Sequence, residues 1–164
     1  MMSQLNAIRA KIHDWATIVQ TIAHWRAQGY TIVFTNGCFD ILHYGHLHYL
    51  AEARDLGDKL VIGLNTAASV QRLKGPHRPI HDEMTRQHLL AALTCVDAVV
   101  PFETDTPLEL IRLVQPDLLV KGGDWQPEQI VGSDIVLARG GQVQCLPYIE
   151  GYSTTAIEQQ IRSW

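Results

Sequence analysis

Two histidines, His43 and His46, are the residues whose type and spacing best suit chemistry on a phosphate group. Residues three apart on a helix share one face, so both side chains can be aimed at the same ligand. Gly45 lies between them and has no Cβ, which leaves room for a phosphate to approach the backbone. A helix N-terminus adds free N–H groups and a dipole that favours negative charge. The pattern therefore predicts a phosphate-binding site at the start of a helix.

The elements around the two histidines support this prediction. Residues 31–34 form a short apolar run typical of a buried strand, residues 35–40 indicate a glycine-containing turn, and a helical pattern begins near Gly45. A strand, a turn and a helix start in this order are the context in which such a motif binds phosphate. The alternative is one surface histidine and one buried histidine, neither of which needs a ligand.

Short apolar strands alternate with helical patterns along the rest of the chain. We predict strands at residues 31–34, 59–64, 98–100, 117–120 and 142–146, and helices at 14–28, 45–56, 82–94, 106–114 and 155–162. This alternation indicates an α/β fold, a Rossmann-like, doubly wound parallel sheet of five strands. We expect one domain over residues 1–164, with its core at about 30–164. Such sheets bind ligands at the carboxyl ends of their strands.

Two lysines follow predicted strands and are candidates for binding phosphates. Lys74 lies in a basic segment, residues 72–79, whose glycine and prolines predict a mobile loop. Lys121 follows the fourth strand and precedes two glycines. Each lysine is either a clamp on a phosphate group or an ordinary solvated side chain.

The start of the last predicted helix is a further candidate site. Ser153 and Thr154 precede it, and their hydroxyls together with the free N–H groups there suit the binding of phosphates. Thr155 and Glu158 fit a capping box, which needs no ligand. Both interpretations can hold, because Ser153 and Thr154 lie outside that box.

Two carboxylates and one arginine complete the candidates. Asp40 and Asp124 follow predicted strands, and either can orient Mg²⁺ or a sugar hydroxyl; for Asp40, an Asx-type turn is an equally good interpretation. Arg86 either faces the site or pairs with Asp82 four residues earlier. A metal site made of histidines is not expected, because His48 points away from His46 on a helix.

Composition excludes several functional classes. The formal net charge of −4 argues against a general nucleic-acid binder. The sequence contains no run of about twenty apolar residues, so no membrane span is predicted. The N-terminus lacks the pattern of a secretory signal. Cys38, Cys95 and Cys145 are odd in number and widely spaced, so we expect no disulfide framework and a reducing, cytoplasmic location.

Taken together, these segments resemble the adenylyltransferases of ADP-heptose synthesis, within the cytidylyltransferase-like group of nucleotidyltransferases with an HxGH motif. The resemblance runs in order from about Tyr30 to the C-terminus. It is carried by TNGCFDILHYGH (35–46), RLKG (72–75), RP (78–79), DTP (105–107), LVKGGD (119–124) and EGYSTT (150–155). Ala67 departs from the family pattern, in which an aspartate is expected.

The resemblance implies transfer of AMP from ATP to D-glycero-β-D-manno-heptose 1-phosphate, giving ADP-heptose and pyrophosphate for lipopolysaccharide assembly. It implies no nucleic-acid or membrane partner, a homodimer, and Mg²⁺ carried mainly by the nucleotide phosphates. The implied catalytic residues are His43, His46 and Lys74. The implied nucleotide and phosphate contacts are Thr35, Asn36, Gly37, Phe39, Gly45, Lys121, Ser153 and Thr154, with Asp40, Arg86 and Asp124 as sugar or metal contacts.

Two other functions fit part of the pattern. Glycerol-3-phosphate cytidylyltransferase shares the HYGH and STT elements, but the RLKG and VKGGD segments argue against it. A nucleotide-binding regulatory domain without catalysis is the alternative from another class. Such a domain is expected to have lost a histidine or a lysine from the motifs, and this sequence retains them.

Overall fold

The computed structural model describes residues 3–164, which form an α/β fold around one five-stranded sheet. The strands are β1 (Ile32–Gly37), β2 (Lys59–Asn65), β3 (Ala98–Phe102), β4 (Leu118–Gly122) and β5 (Gln142–Leu146). The helices are α1 (Gln4–Arg9), α2 (Trp15–Ala27), α3 (Tyr44–Asp55), α4 (Ala67–Lys74), α5 (Glu83–Ala92), α6 (Leu108–Val114), α7 (Ser133–Ala138) and α8 (Thr154–Arg162), with a 3₁₀ turn at Pro127–Gln129.

The sheet is parallel throughout, and its strand order is β3-β2-β1-β4-β5. The chain builds outward from β1 to β3 and then returns to place β4 on the other side of β1. The carboxyl ends of β1 and β4 therefore flank the point at which the order reverses, where doubly wound sheets form their ligand crevice. The predicted five-stranded parallel sheet is confirmed.

Both faces of the sheet are covered by helices, which explains why its strands are apolar nearly throughout. Successive residues of a strand point to opposite faces, so Phe34 packs with α2, α6 and α7, whereas Val33 packs with α3 and α5. Burial of both faces stabilises the sheet and fixes the position of each strand end. The site residues that follow the strands are thereby held at one edge.

The predicted N-terminal helix is present as α2. The side chain of Asp14 accepts a hydrogen bond from the Thr17 N–H in a capping box, and Ile18 and Ile22 are buried against the sheet. The indole N–H of Trp15 donates to the carbonyl of Pro101 at 3.0 Å, so this helix packs within the chain. The short helix α1 was not predicted, because its six residues bury no side chain and show no apolar stripe.

Two sequence-based boundaries were wrong in ways that affect the site. Residues 35–37, predicted as a turn, extend β1, because they pair with residues 62–64 of β2. Residues 72–74, predicted as part of a loop, form the last turn of α4, whose first turn is capped by the side chain of Thr66. Lys74 therefore lies on a helix, and the loop that follows it is shorter than expected.

Within residues 3–164, no helix combines the length and the apolar character that crossing a bilayer requires.

Candidate active site

A groove follows the carboxyl edge of the sheet, between the start of α3 and the start of α8. Three adjoining cavities form it: a central cavity of 180 Å³, a large cavity of 320 Å³ and a tyrosine cavity of 270 Å³. The central cavity shares Asn36, Gly37, Cys38 and Lys121 with the large cavity, and His46, Tyr49, Tyr148 and Thr154 with the tyrosine cavity. The predicted strand-end segments thus converge on one continuous surface.

The two histidines lie together at the start of α3, as their spacing predicted. His43 is the N-cap residue, with an extended backbone and no capping hydrogen bond from its side chain. His46 follows in the first turn, and the two imidazole rings stack with their centroids 3.8 Å apart. The Nδ1 atoms of both rings are buried. Both histidines line the tyrosine cavity and His46 also lines the central cavity, so the pair borders the groove at a helix N-terminus, a position that suits an anionic ligand.

Burial keeps this pair neutral in the absence of a ligand. It lowers the pKa of His46 to about 4, and the charges of His43 and Lys74 act in the same direction. Burial also lowers the pKa of His43. At neutral pH each ring therefore offers one N–H donor and one acceptor, and an arriving phosphate would favour protonation.

Three neighbours fix the position of the histidines. The ring of Phe39 packs edge-on against His46, with centroids 5.3 Å apart, and its backbone has a positive φ of 43°. The hydroxyl of Tyr49 hydrogen-bonds to Thr35 at 2.5 Å and donates to the carbonyl of Val120 at 3.2 Å, which ties α3 to β1 and β4. Thr35 was predicted to contact the nucleotide, but it is buried and its hydroxyl serves this structural contact.

Gly45 lines the tyrosine cavity, and the absence of its side chain also makes room for protein neighbours. A Cβ at this position would lie 3.1 Å from the ring of His43 and 3.1 Å from Cβ of Tyr152. The absence of a side chain therefore allows the segment before α8 to approach the first turn of α3. The starts of α3 and α8 come close together because of it.

Two lysines reach the central cavity from opposite sides. Lys74 extends from the last turn of α4 and is exposed, and Lys121 lies half-buried on β4 and also lines the large cavity. Burial lowers the pKa of Lys121. Cys38 lies between these elements, and burial raises the pKa of its thiol, which suits a packing role rather than a nucleophile. Asn36 and Gly37 line the central and large cavities, as predicted for site contacts.

The start of α8 borders the groove through Thr154, which lines both the central and the tyrosine cavities. Ser153 is the N-cap residue, and its hydroxyl accepts a hydrogen bond from the Ala156 N–H at 3.0 Å. The predicted capping box of Thr155 and Glu158 was wrong, because the helix begins one residue earlier and Glu158 pairs with Arg78 instead.

Asp40 has its own protein partners. Its carboxylate, 1% exposed, accepts hydrogen bonds from Arg78 Nη1 at 2.8 Å, the Ile80 N–H at 2.7 Å and the His81 N–H at 3.0 Å. Burial by itself would raise the pKa of Asp40, but these donors hold it below its ordinary value. Neither the Asx-type turn nor a free metal ligand describes this residue. Asp124, the other candidate carboxylate, is exposed in the loop after β4.

Arg86 has neither of the two predicted roles. Its side chain is 0% exposed, and Nη1 donates to the carbonyls of Cys38 at 2.9 Å and Asn65 at 2.7 Å. Asp82, its predicted partner, instead caps α5 by accepting from the Thr85 N–H at 2.6 Å. Arg86 therefore links the segments that follow β1 and β2, and it has no exposed surface with which to contact a sugar or a metal.

Tyr148 is a site residue that the sequence analysis missed. It lines the central and tyrosine cavities, and its ring lies against Gly122 and Gly123, where an added Cβ would approach it within 2.7 and 2.9 Å. The two glycines of the KGGD segment thus make space for this ring. Its position two residues after a predicted strand, together with that glycine pair, was the available signal.

In the part of the chain that the structure describes, no three His, Cys, Asp or Glu side chains are grouped so that they could hold one metal ion.

Comparison with known proteins gives consistent matches. A family model described as cytidylyltransferase-like matches residues 34–160. The chain is 56% identical over 151 residues to the bifunctional protein HldE of Magnetococcus marinus and 54% identical over 152 residues to that of Trichlorobacter lovleyi. These matches cover 92% and 93% of this chain but 31% of each relative, so the chain spans about a third of their length.

Solved structures agree with the fold. The chain is 30% identical to a lipopolysaccharide core biosynthesis protein from Thermoplasma volcanium, with a TM-score of 0.59, covering 76% of this chain and 100% of that one. A pantoate-β-alanine ligase from Francisella tularensis has a TM-score of 0.58 at 14% identity, covering 92% of this chain and 76% of that one, and shares the fold alone.

Proposed function

Because the chain belongs to the cytidylyltransferase-like family of nucleotidyltransferases, we propose that it transfers AMP from ATP to D-glycero-β-D-manno-heptose 1-phosphate. The products are ADP-heptose and pyrophosphate. The observation that carries the proposal is the convergence of His46, Lys74, Lys121 and Thr154 on one small cavity between two larger ones. The central cavity suits phosphates. The large cavity and the tyrosine cavity suit the sugar and the nucleoside that are joined through those phosphates.

Each cavity has a lining that fits one part of the substrates. The tyrosine cavity is bordered by Tyr148, Ile149 and Tyr152, and aromatic and apolar walls suit a nucleobase. The large cavity has apolar walls that include Leu73, Trp125 and Ile130, but the polar side chains of Asn36, Asn65, Asp105, Thr106 and Gln129 among them can hydrogen-bond a hydroxyl-rich sugar. ATP would therefore lie toward α8 and the sugar phosphate toward β2 and α6.

The reaction needs positioning and charge stabilisation and no covalent enzyme intermediate. An oxygen of the sugar 1-phosphate attacks the α-phosphorus of ATP, and the bond between that phosphorus and the bridging oxygen of pyrophosphate breaks. His43 and His46 donate hydrogen bonds to phosphate oxygens as negative charge moves toward the leaving group. Lys74 and Lys121 neutralise charge from the two sides of the cavity.

Magnesium enters with the nucleotide, as Mg-ATP. The carboxylate of Asp40 is already occupied by three donors, so the ion is held mainly by the substrate phosphates. The heptose acceptor is supported by the RLKG and VKGGD segments and by the likeness to a lipopolysaccharide core biosynthesis protein.

Pyrophosphate release tests the proposal directly. Mg-ATP with D-glycero-β-D-manno-heptose 1-phosphate should release pyrophosphate, and CTP with the same acceptor should release little. Faster release with CTP and glycerol 3-phosphate would replace the proposal by the cytidylyltransferase reading. Release with neither pair, from a folded protein that binds Mg-ATP, would favour a regulatory nucleotide-binding domain.

Proton uptake on nucleotide binding follows from the low pKa of His46. With a pKa of about 4 the imidazole is neutral in the free protein, and the negative phosphates raise that pKa, so binding should take up protons, more at pH 6 than at pH 8. Calorimetry of Mg-ATP binding in buffers of different ionisation heat measures the uptake. The difference between the wild type and His46→Gln isolates this side chain, and equal uptake by both proteins at pH 6 would contradict the assignment.

A further inference from the structure

A partly buried ion-pair bridge connects three of the elements that border the groove. The guanidinium of Arg78 donates through Nη1 to Asp40 at 2.8 Å and through Nη2 to Glu158 on α8. The three side chains are 18%, 1% and 20% exposed, so solvent screens the contacts only in part. Arg78 lines none of the three cavities of the groove and therefore acts on a ligand only through its neighbours.

The helix at one end of this bridge has little else to hold it. α8 buries none of its side chains, although Thr154, Ile157 and Glu158 are partly covered. Within residues 3–164, the contact between Arg78 and Glu158 is the one polar side-chain contact that joins α8 to another element. A helix with so few buried apolar contacts belongs to the part of a fold that opens most easily.

The other end of the bridge is held by further hydrogen bonds. The carboxylate of Asp40 also accepts hydrogen bonds from the backbone N–H groups of Ile80 and His81, so the loop after Lys74 is fastened to the segment that follows β1. Asp40 comes directly after Phe39, which packs against His46. The bridge thus runs from the histidine side of the central cavity, through the loop after Lys74, to the helix that begins with Thr154.

We infer that Arg78 is a positioning residue that holds the start of α8 against the groove, so that Thr154 and the first N–H groups of α8 meet the nucleotide phosphates. This inference rests on the proposed function for the identity of the ligand, but the docking of α8 is independent of catalysis. Arginine suits the role because its planar fork binds two carboxylates at once, whereas lysine offers a single point charge.

The fraction of molecules in which α8 is docked sets the apparent affinity for the nucleotide. If α8 is docked for only a fraction of the time, the apparent dissociation constant for the nucleotide rises by the inverse of that fraction. We expect Arg78→Gln and Glu158→Gln each to weaken Mg-ATP binding about tenfold, which corresponds to docking for roughly one tenth of the time. The double variant should be no weaker than the worse single variant, because both remove the same contact.

Amide hydrogen exchange combined with Mg-ATP binding tests the inference. In Arg78→Gln and Glu158→Gln, the amides of residues 154–162 should exchange faster than in the wild type, while those of α3 stay unchanged. Arg112→Gln, which removes an exposed ion pair with Glu109 on α6, is the matched control and should alter neither α8 exchange nor Mg-ATP binding. Arg78→Lys should fall between the wild type and Arg78→Gln.

The outcomes separate the inference from the proposed function. Unchanged exchange of residues 154–162 in both glutamine variants would overturn the positioning role, whatever reaction the protein catalyses. Faster exchange with unchanged Mg-ATP affinity would also overturn it, because docking of α8 would then not serve the nucleotide. Absence of pyrophosphate release from the wild type would instead count against the proposed reaction and leave the exchange result standing.

Discussion

Replacing His46 by alanine is expected to lower the rate of pyrophosphate release by roughly 100–1,000-fold, the usual cost of removing one donor to a developing negative charge. His46 is the histidine of this pair that lines the central cavity. His43 lines only the tyrosine cavity, so it is not placed to replace His46 in the central cavity. The loss should appear mainly in kcat, since the hydrogen bond strengthens as the leaving group gains charge.

The matched control for this variant is His48→Ala. His48 lies on the same helix, and its Nδ1 pairs with Glu52 at 3.4 Å, away from the groove. It should keep near-normal turnover, and circular dichroism should show an intact fold for both variants. Near-normal turnover by a folded His46→Ala protein would remove the central claim about this site.

Replacing Lys121 by methionine should have the next largest effect. The half-buried side chain of Lys121 lies at the junction of the central and large cavities. A hydrogen bond from this ammonium to a phosphate would contribute about 1.5–3 kcal/mol, so its loss should lower kcat/KM by roughly 10–150-fold. Burial lowers the pKa of Lys121, which indicates a cost of keeping this charge in the folded chain. Methionine removes that cost, so thermal unfolding should show a Tm that is unchanged or raised.

Two further lysine variants sharpen this test. Lys74→Met removes an exposed charge that solvent screens more strongly, so its effect should be smaller and should fall mainly on the KM for ATP. Lys59 lies at the amino end of β2, where its ammonium lies over the rings of Trp25 and Tyr30 and pairs with Asp97. Lys59→Met removes this charge and should leave activity unchanged. Equal losses of activity in all three variants would mean that the overall charge of the protein, rather than charge in the groove, governs the rate.

Local patterns predicted most of the fold and the centre of the site. Five apolar runs alternating with helices were enough to give the parallel sheet, and the predicted start of α3 was within one residue of the observed one. Gly45, His46 and Thr154 line one cavity, as expected, because their segments follow strands whose carboxyl ends must meet at one edge of a parallel sheet. The rule needs no knowledge of the contacts between those segments.

The parts that the sequence could not give depend on partners far along the chain. Residues 35–37 look like a turn until they pair with β2. Asp40 looks like a free carboxylate until donors 38 to 41 residues away reach it. Arg86 looks like a surface helix residue, yet it donates to carbonyls 21 and 48 residues earlier. In each case the local pattern was ambiguous, and a long-range hydrogen bond decided the outcome.

The contact between Tyr148 and the glycine pair has a consequence for how this sequence can change over evolution. Any side chain at Gly122 would collide with the ring, and Gly123 adds a positive φ of 104° that disfavours other residues. The ring of Tyr148 is 71% exposed and can turn away, so a side chain at position 122 would displace it from the central and tyrosine cavities that it lines. Among descendants of this chain, substitutions at 122 should therefore occur together with substitutions at 148.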